Sequence, residues 1–302
     1  MLERQEGSEE TATRIELNFK IANLWQEKLS KPDRAIRAYE KILSLDDSNL
    51  EAAEALIPLY EGGRDVKKYV RILEIQLAHT DEADLKLDRI RVLAELAEGK
   101  LRDKGRAFDW YLQALEVDAA SEWVREDGER LAGETGRWSD LVNAYEQALE
   151  GMVEPIDRLP LMLTVARVYE EELQNDEQAL RVSAEILELE PQNAQAVEAL
   201  VRLYSKAERY TELLEVFQRK IDLVDDDDER KEIYFRIAYL YEEEIGDADQ
   251  AISAYRTVLD LAGDDAKALK ALDRIYEKQQ MWQDLAEVLL RQLNMSTGED
   301  SE

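Results

Sequence analysis

The segments DRAIRAYEKILSL (Asp33–Leu45) and DQAISAYRTVLDL (Asp249–Leu261) lie 216 residues apart and agree at seven of thirteen positions. The separation is three times 72, and the two intermediate copies are present: GRAFDWYLQALEV (Gly105–Val117) and EQALRVSAEILEL (Glu177–Leu189). Aligned positions read Ala35, Ala107, Ala179 and Ala251, then Tyr39, Tyr111, Ser183 and Tyr255, then Leu43, Leu115, Leu187 and Leu259. An earlier alanine series, Ala22, Ala94, Ala166 and Ala238, keeps the same interval. A period that never slips marks a repeat architecture.

Each 72-residue block divides again. Its second half carries Val66, Trp138, Tyr210 and Trp282, then Tyr69, Leu141, Leu213 and Leu285, and closes at Leu77, Leu149, Ile221 and Leu293. Each block therefore holds two units of about 36 residues, each of two helices. Spacing supports helix: Ile233, Tyr234, Ile237, Tyr241 and Ile245 recur at three- and four-residue intervals in RKEIYFRIAYLYEEEI, one apolar stripe. Asp103, Asn175 and Asp247 fall at equivalent N-cap positions, where a side-chain oxygen accepts from an exposed backbone N–H. Pro32 follows the corresponding position in the first copy, which suits a first helical residue because its missing N–H has no partner to lose.

With these features in place, the chain resembles the tetratricopeptide repeat, a family of paired antiparallel helices of about 34 residues. The resemblance rests on small residues where helices touch (Ala22 and Ala35, Ala238 and Ala251), aromatics between them (Trp25 and Tyr39, Tyr241 and Tyr255) and the closing Pro191. It departs from the family pattern in three ways. The Ala-to-Ala interval is one residue longer, Leu213 and Leu285 replace alanine, and the fourth unit carries Ala132, Gly133 and Gly136 where bulk is expected. The alternation of unit types is similar to the long arrays of some large bacterial proteins.

The implied fold is all-α: a right-handed α-solenoid of helix-turn-helix units. Its expected divisions are a polar extension over 1–12, a single solenoid of about eight units over 13–295, and an acidic tail over 296–302. One helical pair cannot bury its apolar face alone, so every copy must be apolar at the same positions.

Composition agrees. Glycine and proline number only 12 and 5, too few for a turn-rich β protein. The net charge of −30 opposes phosphate backbones and anionic membrane leaflets, so nucleic acid is not an expected partner. The charge favours basic partners. With no cysteine, disulfides, thiol catalysis and thiolate metal sites are excluded. The opening MLERQEGSEE lacks the regions of a signal peptide, and no apolar run approaches membrane-spanning length, so a cytoplasmic protein is expected.

Catalytic chemistry finds little support. The one histidine, His79, sits near a predicted helix end and reads as solvated or capping. No phosphate loop, nucleophile elbow or HExxH motif occurs. The run Asp225–Glu229 (DDDDE) lacks the alternating acids and glycine of a calcium loop, and reads as a linker whose acids favour the start of a helix near Arg230. No enzyme, cofactor or metal is expected.

The resemblance implies that the first helix of each unit lines a concave groove that takes a partner peptide. Odd units would then present Glu16, Phe19 and Asn23; Asp88, Arg91, Glu95 and Glu98; Leu163, Arg167 and Glu170; and Glu232, Phe235, Tyr239, Glu242 and Glu243. Even units would present Glu51, Glu54 and Pro58; Trp123, Glu126 and Arg130; Glu198 and Arg202; and Lys267, Lys270 and Arg274. This surface is mainly acidic with aromatic contacts at Phe19, Trp123, Phe235 and Tyr239, which suits a basic peptide carrying apolar anchors. Phe19, Leu163 and Phe235 share a repeat position, so packing between units is an equal reading for them. Trp25, Trp110, Trp138 and Trp282 are assigned to the core.

Arg130, Arg202 and Arg274 recur every 72 residues; they are read as pairing with neighbouring glutamates in preference to binding an acidic partner side chain. Family members that hold a chaperone's C-terminal carboxylate use a lysine one turn before an asparagine. Here Phe19 replaces that lysine before Asn23, so the clamp is absent. The last helix, DLAEVLLRQLNM, carries Leu285, Val288, Leu289, Leu290 and Leu293 without a following capping helix, which is read as a longer array or pairing of ends between copies. Three functional readings are therefore carried: a protein-interaction scaffold, a self-associating structural subunit, and the regulatory arm of a longer multidomain protein.

Overall fold

A computed structural model describes residues 2–61, 63 and 65–299, with side chains of 2–8 and 297–299 left aside. These residues form sixteen α-helices and three π turns, with no strand among them. The chain is all-helical, built of helix–turn–helix pairs, in two compact units: Met1–Asp157 and Arg158–Glu302.

The first unit contains α1 (Leu2–Asn23), α2 (Pro32–Leu43), α3 (Leu50–Tyr60), α4 (Val66–Ala78), α5 (Ala83–Glu95), α6 (Lys104–Val117), α7 (Glu122–Thr135) and α8 (Trp138–Gly151). The second follows from α9 (Pro155–Glu171), with α10 (Asp176–Leu189), α11 (Ala194–Lys206), α12 (Tyr210–Leu223), α13 (Asp227–Tyr239), α14 (Ala248–Ala262), α15 (Ala266–Gln279) and α16 (Trp282–Glu299). The extension expected over 1–12 is therefore helical from Leu2, and the expected tail continues α16 to Glu299. Residues 300–302 lie outside the described set.

Local chemistry repeats with the same interval as the sequence. Asp103, Asn175 and Asp247 cap α6, α10 and α14, accepting from the backbone N–H of Arg106, Gln178 and Gln250. Asn49, Asn193 and Asp265 do the same for α3, α11 and α15. At the other ends, Ser30, Arg102, Gln174 and Gly246 all adopt positive φ, between 47° and 81°. The next N–H in each case, at Lys31, Asp103, Asn175 and Asp247, donates to the carbonyl of Trp25, Ala97, Tyr169 and Tyr241. This left-handed reversal satisfies a helix-end carbonyl and turns the chain into its antiparallel partner. A second series, Gly136, Glu208 and Gln280, reverses the chain between α7 and α8, α11 and α12, and α15 and α16.

The extra residue between paired alanines has a structural counterpart. Helices α1, α5 and α13 end in π turns at Leu24–Lys28, Leu96–Leu101 and Leu240–Ile245. Bonding from i to i+5 takes up one more residue per turn than the α-helix does. In the third copy the same feature is reduced to one bond, from Leu173 N–H to the Val168 carbonyl.

The core is the set of repeat positions. Ala22, Ala35, Ala94, Ala107, Ala166, Ala179, Ala238 and Ala251 are all buried, so the helices approach without a larger side chain between them. Tyr39, Tyr111 and Tyr255 are buried beside them, while Trp110 is buried and Trp25 and Trp138 half-buried. Trp282 departs from the expectation: it is 60% exposed, because nothing among the described residues packs over that part of α16. The glycines of the fourth unit also have a reason. A Cβ on Gly133 would lie 3.1 Å from the Trp138 ring, and Gly136 takes φ 69° at the end of α7.

Candidate functional site

All twenty-six residues of the predicted surface lie on odd-numbered helices or the π turns that extend them. Glu16, Phe19 and Asn23 are on α1, Glu54 on α3, Arg91 and Glu95 on α5, and Glu98 in its π turn. Trp123 and Arg130 are on α7, Arg167 on α9, Arg202 on α11, Phe235 and Tyr239 on α13, Glu242 and Glu243 in its π turn, and Arg274 on α15. The helix period places them there, since their spacing repeats at three, four or seven residues on each helix.

The arginines pair with glutamates, as their spacing suggested. Arg130 contacts both oxygens of Glu98, at 2.8 and 2.9 Å. Arg202 contacts both oxygens of Glu170, at 3.0 and 2.9 Å. Arg274 donates twice to one oxygen of Glu242, at 3.0 and 2.5 Å. Each bridge joins the end of one odd helix to the middle of the next, 32 residues on. In each case the hydrogen bond to the glutamate is the main cause that holds the guanidinium more firmly in its charged form.

Most of the expected acids are thus neutralised locally. Glu16 meets Lys20 at 2.5 Å, Glu95 meets Arg91 at 3.5 Å, and Glu243 lies 3.7 Å from Arg274. Glu54 is exposed and has no ion-pair partner among the described residues. Arg167 faces Glu171 at 3.7 Å. Exposed pairs of this kind are weak enough to exchange for a partner's charges.

The aromatics divide. Phe19 meets Tyr39 edge-on with centroids 6.2 Å apart, and Phe235 meets Tyr255 in the same way at 6.1 Å. Both phenylalanines are half-buried, so packing holds one side of each ring. Trp123 is edge-on to Tyr111 at 5.9 Å and lies under the Arg91 guanidinium at 5.0 Å. Tyr239 is different, with 54% of its surface exposed. It borders a depression of about 380 Å³ with Phe235, Glu232, Leu213, Phe217 and Ser205.

The buried tyrosines are anchored by neighbouring polar groups. Tyr39 donates to Asn23 at 2.8 Å, and Tyr255 to Glu242 at 3.0 Å. The Tyr255 hydroxyl is raised well above the usual phenol range, first by burial and then by the Glu242 carboxylate. The third copy breaks the series. Ser183 stands at the tyrosine position, 1% exposed, with its hydroxyl unpartnered, at the wall of a cavity of about 530 Å³. The sequence signals this place by the single break in an otherwise constant tyrosine position.

Other expectations resolve simply. Asp226 of the DDDDE run caps α13, accepting from the N–H groups of Asp228 and Glu229, so that helix begins at Asp227 and not near Arg230. His79 follows α4 as its capping residue, its Nδ1 2.8 Å from the Ile75 carbonyl. Among the described residues no group of acids or histidines is arranged to hold a metal, and no helix is long and apolar enough to cross a membrane.

A model of the tetratricopeptide repeat matches residues 196–231 and 268–301, and a second model of that repeat matches 231–265. No curated protein matches the sequence. Among solved structures, the C-terminal part of a repeat-containing protein from Cytophaga hutchinsonii is 16% identical, covering 84% of this chain and 99% of its own, with TM-score 0.40. PilF of Pseudomonas aeruginosa is 13% identical, covering 90% and 98%, with TM-score 0.35. YrrB, described as a repeat protein with an unusual peptide-binding site, is 18% identical, covering 61% and 90%, with TM-score 0.36.

Proposed function

We propose that this chain, a tetratricopeptide-repeat protein, is a non-catalytic scaffold that holds a basic segment of a partner protein against its odd-numbered helices. Repeat arrays of this type offer extended surfaces for protein interaction. The observation that carries the finer reading is Tyr239, an exposed aromatic beside a depression of about 380 Å³. It stands on a helix and π turn, residues 227–245, that carry seven acidic and three basic residues. Negative charge steers a basic chain to the surface, and an aromatic wall supplies the anchor that charge alone does not.

The test is fluorescence anisotropy with a labelled lysine- and arginine-rich peptide, its charge-reversed counterpart, and the Glu54→Lys/Glu95→Lys/Glu232→Lys/Glu243→Lys variant. This set spares Glu98 and Glu242, whose arginine bridges belong to the fold. The basic peptide alone should bind, and the variant should lose it. Equal binding of both peptides, or an unaffected variant, contradicts the reading.

A second reading rests on α16, which leaves Trp282, Leu289, Leu290 and Leu293 exposed. An apolar face of this kind fits self-association. Light scattering over a concentration series should then show mass rising with concentration in the native protein and not in Leu290→Glu. A monomer at all concentrations removes this reading.

A further inference from the structure

Ser183 occupies a place that a tyrosine fills in the other three copies. Tyr39, Tyr111 and Tyr255 are each at most 6% exposed, Tyr39 and Tyr255 packing against Phe19 and Phe235 of the preceding helix and Tyr111 against Trp123 of the helix that follows. In the third copy a cavity lies beside the smaller Ser183. Its lining combines Leu163, Ala166, Ala196, Ala199 and Ile186 with charged side chains that include Glu170 and Arg202, and Ser183 stands among them. The cavity measures about 530 Å³ and opens beside the Arg202–Glu170 bridge, whose glutamate is the counterpart of the tyrosine acceptor Glu242.

We propose that this cavity receives the side chain of a tyrosine from the bound partner segment. The partner's ring would enter from the mouth, opposite in direction to the built-in tyrosines, and lie against the alanine walls. Its hydroxyl would meet Ser183 Oγ, which is buried and has no partner in the protein. A buried hydroxyl left unpaired is costly, so a ligand that supplies a hydrogen bond there gains relative to one that does not. A phenol fits this requirement and phenylalanine does not. The bridge at the rim leaves the guanidinium of Arg202 exposed near the entering ring, where a cation and an aromatic face attract. This inference rests on the peptide-scaffold reading above and names one residue of the peptide.

The test has two arms. In the first, p-cresol is titrated into the protein while the methyl resonances of Leu163 and Ile186 are followed by NMR. They should move in the native protein and in Ser183→Ala, and stay fixed in Ser183→Tyr, where the repeat's own tyrosine closes the space. In the second, basic peptides bearing tyrosine, phenylalanine or alanine at one position are compared. Native protein should prefer tyrosine over phenylalanine by about threefold to tenfold, the size of one hydrogen bond. Ser183→Ala should bind the two alike, and Ser183→Tyr should reduce both to the alanine peptide's level. Raised thermal stability of Ser183→Tyr shows that it folds with the cavity filled. Unmoved methyls with p-cresol, or three peptides bound alike by native protein, overturn the pocket while the binding of basic peptides can still stand. Binding of p-cresol with no basic peptide bound overturns the peptide reading itself.

Discussion

Arg202 grips Glu170 through two hydrogen bonds, at 3.0 and 2.9 Å, and the same relationship recurs 72 residues earlier and later as Arg130–Glu98 and Arg274–Glu242. The arginine is 56% exposed and the glutamate 19%, so the pair is neither fully screened nor fully buried. A double-mutant cycle with Arg202→Ala and Glu170→Ala, read by urea denaturation, should return a coupling of about 0.5–1.5 kcal/mol. A coupling near zero would make the bridge ornamental.

The helix reversals carry removable strain. Arg102 and Gln174 hold φ of 55° and 50°, where Gly246 stands in the fourth copy. Arg102→Gly and Gln174→Gly should each stabilise by about 0.5–1 kcal/mol, the left-handed penalty less the entropy glycine loses on folding. Thermal melts that fall instead of rising would assign those side chains a role beyond the turn.

Asp226 satisfies two N–H groups at the start of α13. Asp226→Ala should cost about 1 kcal/mol by denaturant titration. Calcium should leave native and variant stabilities unchanged, because the run acts as a cap; a rise in Tm with calcium would contradict this.

The tyrosine column sets an alkaline limit. Burial first, then nearby acids, raises the hydroxyls of Tyr111 and Tyr255 above their ordinary value. A folded pKa above the unfolded one means stability is whole below about pH 10 and is lost as pH rises through the folded value. Circular dichroism should therefore show alkaline unfolding, and Tyr255→Phe, which cannot ionise, should lessen the pH dependence while losing the Glu242 hydrogen bond. An unchanged pH dependence in that variant would remove Tyr255 from the cause.

Much of this was legible in the residues. The 72-residue register located both alanine series, and Asp103, Asn175 and Asp247 declared their caps because a short acceptor before a periodic run has one common use. The arginine column was recognisable because a basic residue recurring amid so many acids has partners within reach. Trp282 misled because a repeat position is buried only where another element covers it, and periodicity does not record coverage. Neutralisation of Glu16 and Glu95 was missed although each has a basic residue four positions away on its own helix, whereas the Glu243–Arg274 contact joins separate elements that spacing alone does not bring together. The cavity at Ser183 was written as a single missing aromatic, but only packing on three sides turns a small residue into a space.

The odd-numbered helices are proposed to take the partner segment. Hydrogen–deuterium exchange with and without a saturating basic, tyrosine-bearing peptide tests this most directly. Slowed exchange concentrated in α9, α11 and α13, with smaller changes in α10 and α12, where Ser183 and Phe217 line the two hollows, is the predicted result. Protection confined to the even-numbered helices or to α16 would contradict the account.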